Sequence, residues 1–166
     1  MRKSLTGVLV VMVLAGTAVG AAACGGDDSG DETEVGALSK SEFTEQANDL
    51  CSKAASDRES VLAEIDPSES GAEQAEQLAD LIDIDEKLLA NVDDLVPPES
   101  EQQTVTRLLD QWRDRVDLEK QLRTATADDD ASQVSALDSQ IQQVDTQANQ
   151  IADGLGLDDC TRGEGV

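Results

Sequence analysis

The stretch SGAEQAEQLADLIDIDEKLLANVDDLV, residues 70–96, decides the fold class. Ser70 followed by Glu73 has the form of a capping box: the serine hydroxyl accepts from the N–H three residues on, and the glutamate reaches back to the serine N–H. Behind it, Ala75, Leu78, Leu81, Ile82, Leu88, Leu89, Val92, Leu95 and Val96 recur at helical steps and make one wide apolar face. A strand reading fares badly against that period. Asp85 interrupts the face, with Leu81, Ile82, Leu88 and Leu89 at i−4, i−3, i+3 and i+4.

Working outward, three more segments follow the same rules. Upstream, Ser39 and Glu42 form a second capping box. The helix it opens aligns Phe43, Ala47, Leu50, Cys51, Ala54, Ala55, Val61, Leu62 and Ile65, and Asp66-Pro67 stops it. Arg58 sits on this face as Asp85 does on its own. Downstream, Pro97-Pro98 ends the quoted segment, and the second proline suits the first turn of a third helix. That helix carries Val105, Leu108, Leu109, Trp112, Val116 and Leu122. Asp128-Asp129-Asp130 supplies a cap and an acidic first turn for a fourth. Val134, Leu137, Ile141, Val144, Ala148 and Ile151 form its narrow seam, and Gly154 stands where a C′ glycine would end it. Short links between four helices of about 20–28 residues predict an all-α, up-down-up-down four-helix bundle.

The first 23 residues read as an export signal. Arg2 and Lys3 precede an uncharged run from Leu5 to Ala23, which ends in small residues before Cys24. A permanent transmembrane helix and ordinary cleavage after Ala21-x-Ala23 are the competing readings. A lipoprotein signal favours a bulky aliphatic residue where Ala21 stands. The acidic, glycine-rich run after Cys24 is nevertheless the composition of a flexible tether, and two acyl chains on that cysteine would hold stably where one holds marginally. The division expected is therefore a lipoprotein signal peptide over 1–23, a lipidated Cys24 and tether over 24–38, and a helical domain over 39–166.

Lipid on Cys24 leaves Cys51 and Cys160 as the only pair, in a compartment where disulfides persist. Two free buried cysteines are the alternative. A bridge requires the tail Leu155–Asp159 to fold back along the bundle, which about six extended residues can do. Zinc is disfavoured, with no histidine and too few thiols.

Charge restricts the partners. Residues 1–23 hold two cations and no acid, so the chain's 12 Lys+Arg and 36 Asp+Glu become 10 and 36 after cleavage, a net charge of −26. Such a field disfavours nucleic acid and anionic head groups and favours cations or a basic partner, although solvation alone accounts for it. One Trp, one Phe and no Tyr leave stacking platforms poorly supplied. No histidine serves as a neutral-pH base, the thiols are committed elsewhere, and neither acidic cluster has the spacing of an EF-hand loop. No cofactor and no catalytic residue is expected.

A buried carboxylate needs a partner, and Asp85 has four within reach by sequence: Arg58, Arg113, Arg115 and the Trp112 indole N–H. Arg115 and Glu119 are spaced to pair at i,i+4. Asp85 then either fixes helix register as a buried pair, or marks a polar pocket between helices.

Three short patterns in order resemble a family of small helical lipoproteins from high-GC Gram-positive bacteria, most without an assigned activity. They are Phe43 with Ala47-Asn48 and Cys51; Leu95 with Pro97-Pro98; and Gly156-Leu157-Asp158-Asp159-Cys160. The resemblance implies a domain whose first and last segments are joined through Cys51 and Cys160, and offers no catalytic residue to carry over. The function expected is a non-enzymatic lipoprotein held to the cell membrane by Cys24 on its extracytoplasmic face, a partner-binding or structural envelope module. The alternative is a lipoprotein that binds a small ligand or cation in a polar inter-helix pocket around Asp85 and Trp112.

Overall fold

A computed structural model describes residues 36–162, Pro67 apart. The export signal, Cys24 and most of the tether lie outside the described residues. What is described is all-helical: α1 (Lys40–Leu62), α2 (Gly71–Asp93), α3 (Gln102–Ala127) and α4 (Ala131–Leu155), followed by a single 3₁₀ turn, η1 (Asp158–Cys160). None of these helices is long and apolar enough to cross a membrane.

Capping explains most of the boundaries. Ser39 and Ser70 each accept from the backbone N–H of the residue three on, and Glu42 and Glu73 each reach back to the cap N–H. Asp130 caps α4 by accepting from the Gln133 N–H at 3.0 Å. Two boundaries differ from the sequence reading. Pro98 lies in a turn whose carbonyl accepts the Glu101 N–H, and α3 begins only at Gln102. Helix α4 runs past Gly154 to Leu155, which is buried; Gly156, with φ of 75°, supplies the left-handed residue that ends it. Gly71 is needed for close approach. A Cβ there would meet the Thr126 carbonyl oxygen at 2.3 Å, where the start of α2 abuts the end of α3.

Consecutive helices pack on one another, whereas η1 is seated against both α1 and α4. The main core gathers Phe43, Ala47 and Cys51 of α1, Leu88 and Val92 of α2, Val105, Leu108 and Trp112 of α3, and Ala148, Ala152 and Leu155 of α4. Leu157 of the tail is fully buried in the same cluster.

The tail is thus a structural element inserted between the first and last helices. Cys160 is bonded to Cys51, with their Cα atoms 4.9 Å apart. Asn48 of α1 donates to the Gly156 carbonyl at 3.2 Å and accepts from the Asp159 N–H at 3.1 Å. Asn149 of α4 does the same for Arg162, donating to its carbonyl at 2.7 Å and accepting from its N–H at 2.8 Å. Two amides, one from each flanking helix, thus clamp the tail backbone, each by donating one hydrogen bond and accepting another.

Candidate functional site

Asp85 is buried at 3% exposure in the middle of α2, where helical periodicity puts a side chain that faces the bundle interior. Three guanidinium groups meet it. Arg162 makes the two-pronged contact, Nη2 to Oδ1 at 2.6 Å and Nη1 to Oδ2 at 3.1 Å. Arg58 Nη1 and Arg115 Nη1 donate to Oδ2 at 2.5 and 2.7 Å. Of the four groups within reach by sequence, Arg58 and Arg115 bind the carboxylate. Arg113 does not, since it pairs at the surface with Asp93 and Asp110. Trp112 is buried beside Asp85, but the carboxylate's hydrogen bonds come from arginines alone among the described residues.

Arg162 was not anticipated from the sequence. It follows the last helix, outside any periodic segment. The disulfide positions it: Cys51 and Arg58 are seven residues apart on α1, two turns along one face, so a tail fixed at Cys51 brings the residue two beyond Cys160 near Arg58.

Two further acids complete the cluster. Glu119 Oε1 lies 2.9 Å from Arg115 Nη1 and 3.8 Å from Arg58 Nη1. Asp145 Oδ1 of α4 lies 2.8 Å from Arg115 Nε, at ion-pair distance but not aligned for a hydrogen bond. Glu119 Oε2 is buried with no hydrogen-bond partner.

The two buried carboxyls are driven apart. Burial alone would raise Asp85, but the charge and hydrogen bonds of Arg162, with Arg58 and Arg115, reverse this and hold it at about 2. Burial pushes Glu119 up to about 7, with Arg115 opposing and Asp85 adding to the rise. The same burial lowers Arg58, which Arg162 and Arg115 also repel.

The stability consequences have opposite signs. The Glu119 carboxyl binds its proton more tightly folded than at its ordinary 4.5, so its neutral form stabilises the fold and that contribution is lost as pH rises from about 4.5 through about 7. At about 1.4 kcal/mol per unit the loss is on the order of 3 kcal/mol. Asp85 acts the other way: its contribution is complete above its ordinary 3.8 and is lost as pH falls through about 2. Urea unfolding should therefore show greater stability near pH 5 than near pH 8, and Glu119→Gln should flatten that slope. An unchanged slope in the variant would assign the pH dependence to other groups.

The space beside Asp85 and Trp112 is not the pocket the sequence suggested. It amounts to about 10 Å³, enough for one water at most. On the far side of the arginines lies an open groove of about 580 Å³ between α1 and α4, walled by α2 and α3 and ending at the tail. That volume falls within the range of small-molecule sites. Arg58, Arg115, Arg162, Glu119 and Asp145 line its polar part, and Leu62, Leu78, Leu122 and Ile141 line the rest. Chemically, such a mixed lining is suited to holding and orienting a small molecule.

The chain matches no protein family, no curated protein and no solved structure.

Proposed function

We propose that this chain is a membrane-anchored extracytoplasmic lipoprotein, without catalytic role, that holds a small amphipathic ligand in the groove between α1 and α4. The observation that carries the binding reading is the groove itself, lined by charged and apolar side chains together and open enough to be entered. The anchor rests on Cys24 and the signal-like run before it, with Cys51 and Cys160 accounting for each other. The absence of catalysis rests on a chain without histidine whose other two thiols are joined. We also propose the up-down-up-down order of helices. It is supported by a core that combines the starts of α1 and α3 with the ends of α2 and α4.

The groove is our reason for preferring this reading to a partner-binding or structural envelope module. Among the described residues Val96 is the only exposed large apolar side chain, and a single one is ordinary surface.

Two measurements test the two halves separately. Mass spectrometry of protein from membranes should find diacylglycerol on Cys24, and Cys24→Ser should move the protein to the soluble fraction. An unmodified Cys24 thiol would remove the anchor. Native mass spectrometry of the released protein should show a bound small molecule that Leu78→Trp, which fills the groove, displaces. No bound molecule on the parent, or the same added mass on both proteins, would contradict the binding reading.

A further inference from the structure

We infer that the groove between α1 and α4 selects an aliphatic amine, its ammonium head on Glu119 and Asp145 and its hydrocarbon chain along the leucine and isoleucine side chains. The inference rests on the groove being a ligand site, and names the chemistry that fits it.

Hydrogen-bond accounting gives the sign of the head group. All three arginines that line the groove donate to Asp85, which lies behind them, and Arg115 also pairs with Glu119 and Asp145, its Nε lacking an aligned hydrogen bond. Among the buried atoms that line the groove, two acceptors lack a hydrogen bond against that one donor. Glu119 has a side chain only 9% exposed, yet its Oε2 has no partner, and Asp145 Oδ1 accepts no hydrogen bond. Buried acceptors without donors cost free energy until something supplies them. Glu119 and Asp145 both sit against the Arg115 guanidinium, at Nη1 and Nε, and both line the groove. An ammonium brings three N–H donors and no acceptor, which is the complement of that pair.

Charge around the groove agrees. Five acids line it against three arginines, and three of them, Glu59, Asp138 and Asp159, form no ion pair among the described residues. An anionic head would meet these and a chain of formal charge −24. The hydrocarbon part follows from Leu62, Leu78, Leu122 and Ile141. Each comes from a different helix, each is half-buried, and all line the same space, so one chain laid among them removes apolar surface from water on four sides.

Proton linkage follows from the groups that face Glu119: Arg58 from α1, Asp85 from α2, Arg115 on its own α3, Asp145 from α4 and Arg162 from the tail. A bound cation favours the ionised carboxylate. Amine binding should therefore release a proton near neutral pH and tighten as pH rises, while the amine itself stays charged.

The test is isothermal titration calorimetry on residues 24–166 carrying Cys24→Ser, which retain every described helix and the disulfide. The probes, below their micelle concentrations, are dodecylammonium, dodecanoate and butylammonium. Dodecylammonium should bind saturably at one site, with the other two at least about tenfold weaker, the factor that one charge-assisted hydrogen bond supplies. Glu119→Gln and Asp145→Asn should each weaken the amine by a similar factor. Proton release, read from heats in buffers of different ionisation enthalpy, should vanish in Glu119→Gln. Circular dichroism at the end of each titration must show intact helices; heat that tracks loss of helix is denaturation and counts against the inference. Dodecanoate binding as tightly as the amine, or an amine affinity untouched by both variants, overturns the choice of head group and leaves the groove standing. If neither long-chain probe saturates, the binding reading falls with it.

Discussion

Replacing Cys160 by serine should lower the melting temperature of the domain by on the order of 15 °C. The bridge joins residues 109 apart, and a loop of that length restricts the unfolded chain by about 4–5 kcal/mol on the chain-entropy account. For a domain of this size each kcal/mol moves the midpoint by roughly 3–5 °C. The bridge also delivers Arg162, the one two-pronged partner of Asp85, so the tail's loss weakens the buried charge cluster as well. Cys51→Ser should match Cys160→Ser, and the double variant should be no worse than either, since all three remove one bond. Thermal melts followed by circular dichroism check this. A shift of only a few degrees would mean that packing of Leu157 and the Asn48 and Asn149 clamps hold the tail without the bond.

Asp85→Ala should cost about 3–5 kcal/mol in urea unfolding, because it leaves three guanidinium groups facing one another without the carboxylate that offsets them. The size of the loss measures the uncompensated charge rather than the worth of the ion pairs. Replacing the unit rather than one member separates the two. In Asp85→Leu/Arg58→Met/Arg162→Met the buried charges leave together, and Arg115 keeps Glu119 and Asp145 as partners. That triple variant should recover most of the loss. An Asp85→Ala protein as stable as the parent would show that the arginines reach water when their acid is gone, and that the cluster is not closed.

Most of the fold was legible because it is written in local chemistry. Ser39, Ser70 and Asp130 cap where their side chains can accept from the next turn, and helical periodicity places Asp85 inward whatever its partner. The misses came where tertiary packing overrode a local signal. Gly154 has the right residue type for a helix end, but burial of Leu155 draws the helix on to Gly156. Pro98 suits a first turn, yet it forms a separate turn before α3. Gly71 read only as part of a capping box, although its missing side chain is what lets α2 meet the end of α3.

The site was half legible. Arg58 and Arg115 are partners that the sequence offers and the structure brings to Asp85, whereas Arg113, offered with them, pairs at the surface with Asp93 and Asp110. Arg162 has no face to be read from, and Asn149 is one of several amides along α4. The tail's path depends on a bond between residues 109 apart, which local pattern does not encode. The groove follows from that path: with the tail placed between α1 and α4, the two helices line opposite sides of an open space beyond it. Asn48 and Gly156, from the first and third of the patterns that mark the resemblance, meet in one hydrogen bond.

The central claim is that this groove is a binding site, and methyl NMR of residues 24–166 carrying Cys24→Ser tests it most directly. Titrated with dodecylammonium, and separately with dodecanoate, the methyl signals of Leu62, Leu78, Leu122 and Ile141 should move together and saturate at one equivalent with at least one of the two, while those of core residues Leu108 and Leu155 stay in place. Shifts scattered over the surface without saturation, or none at those four side chains, with both probes would contradict it.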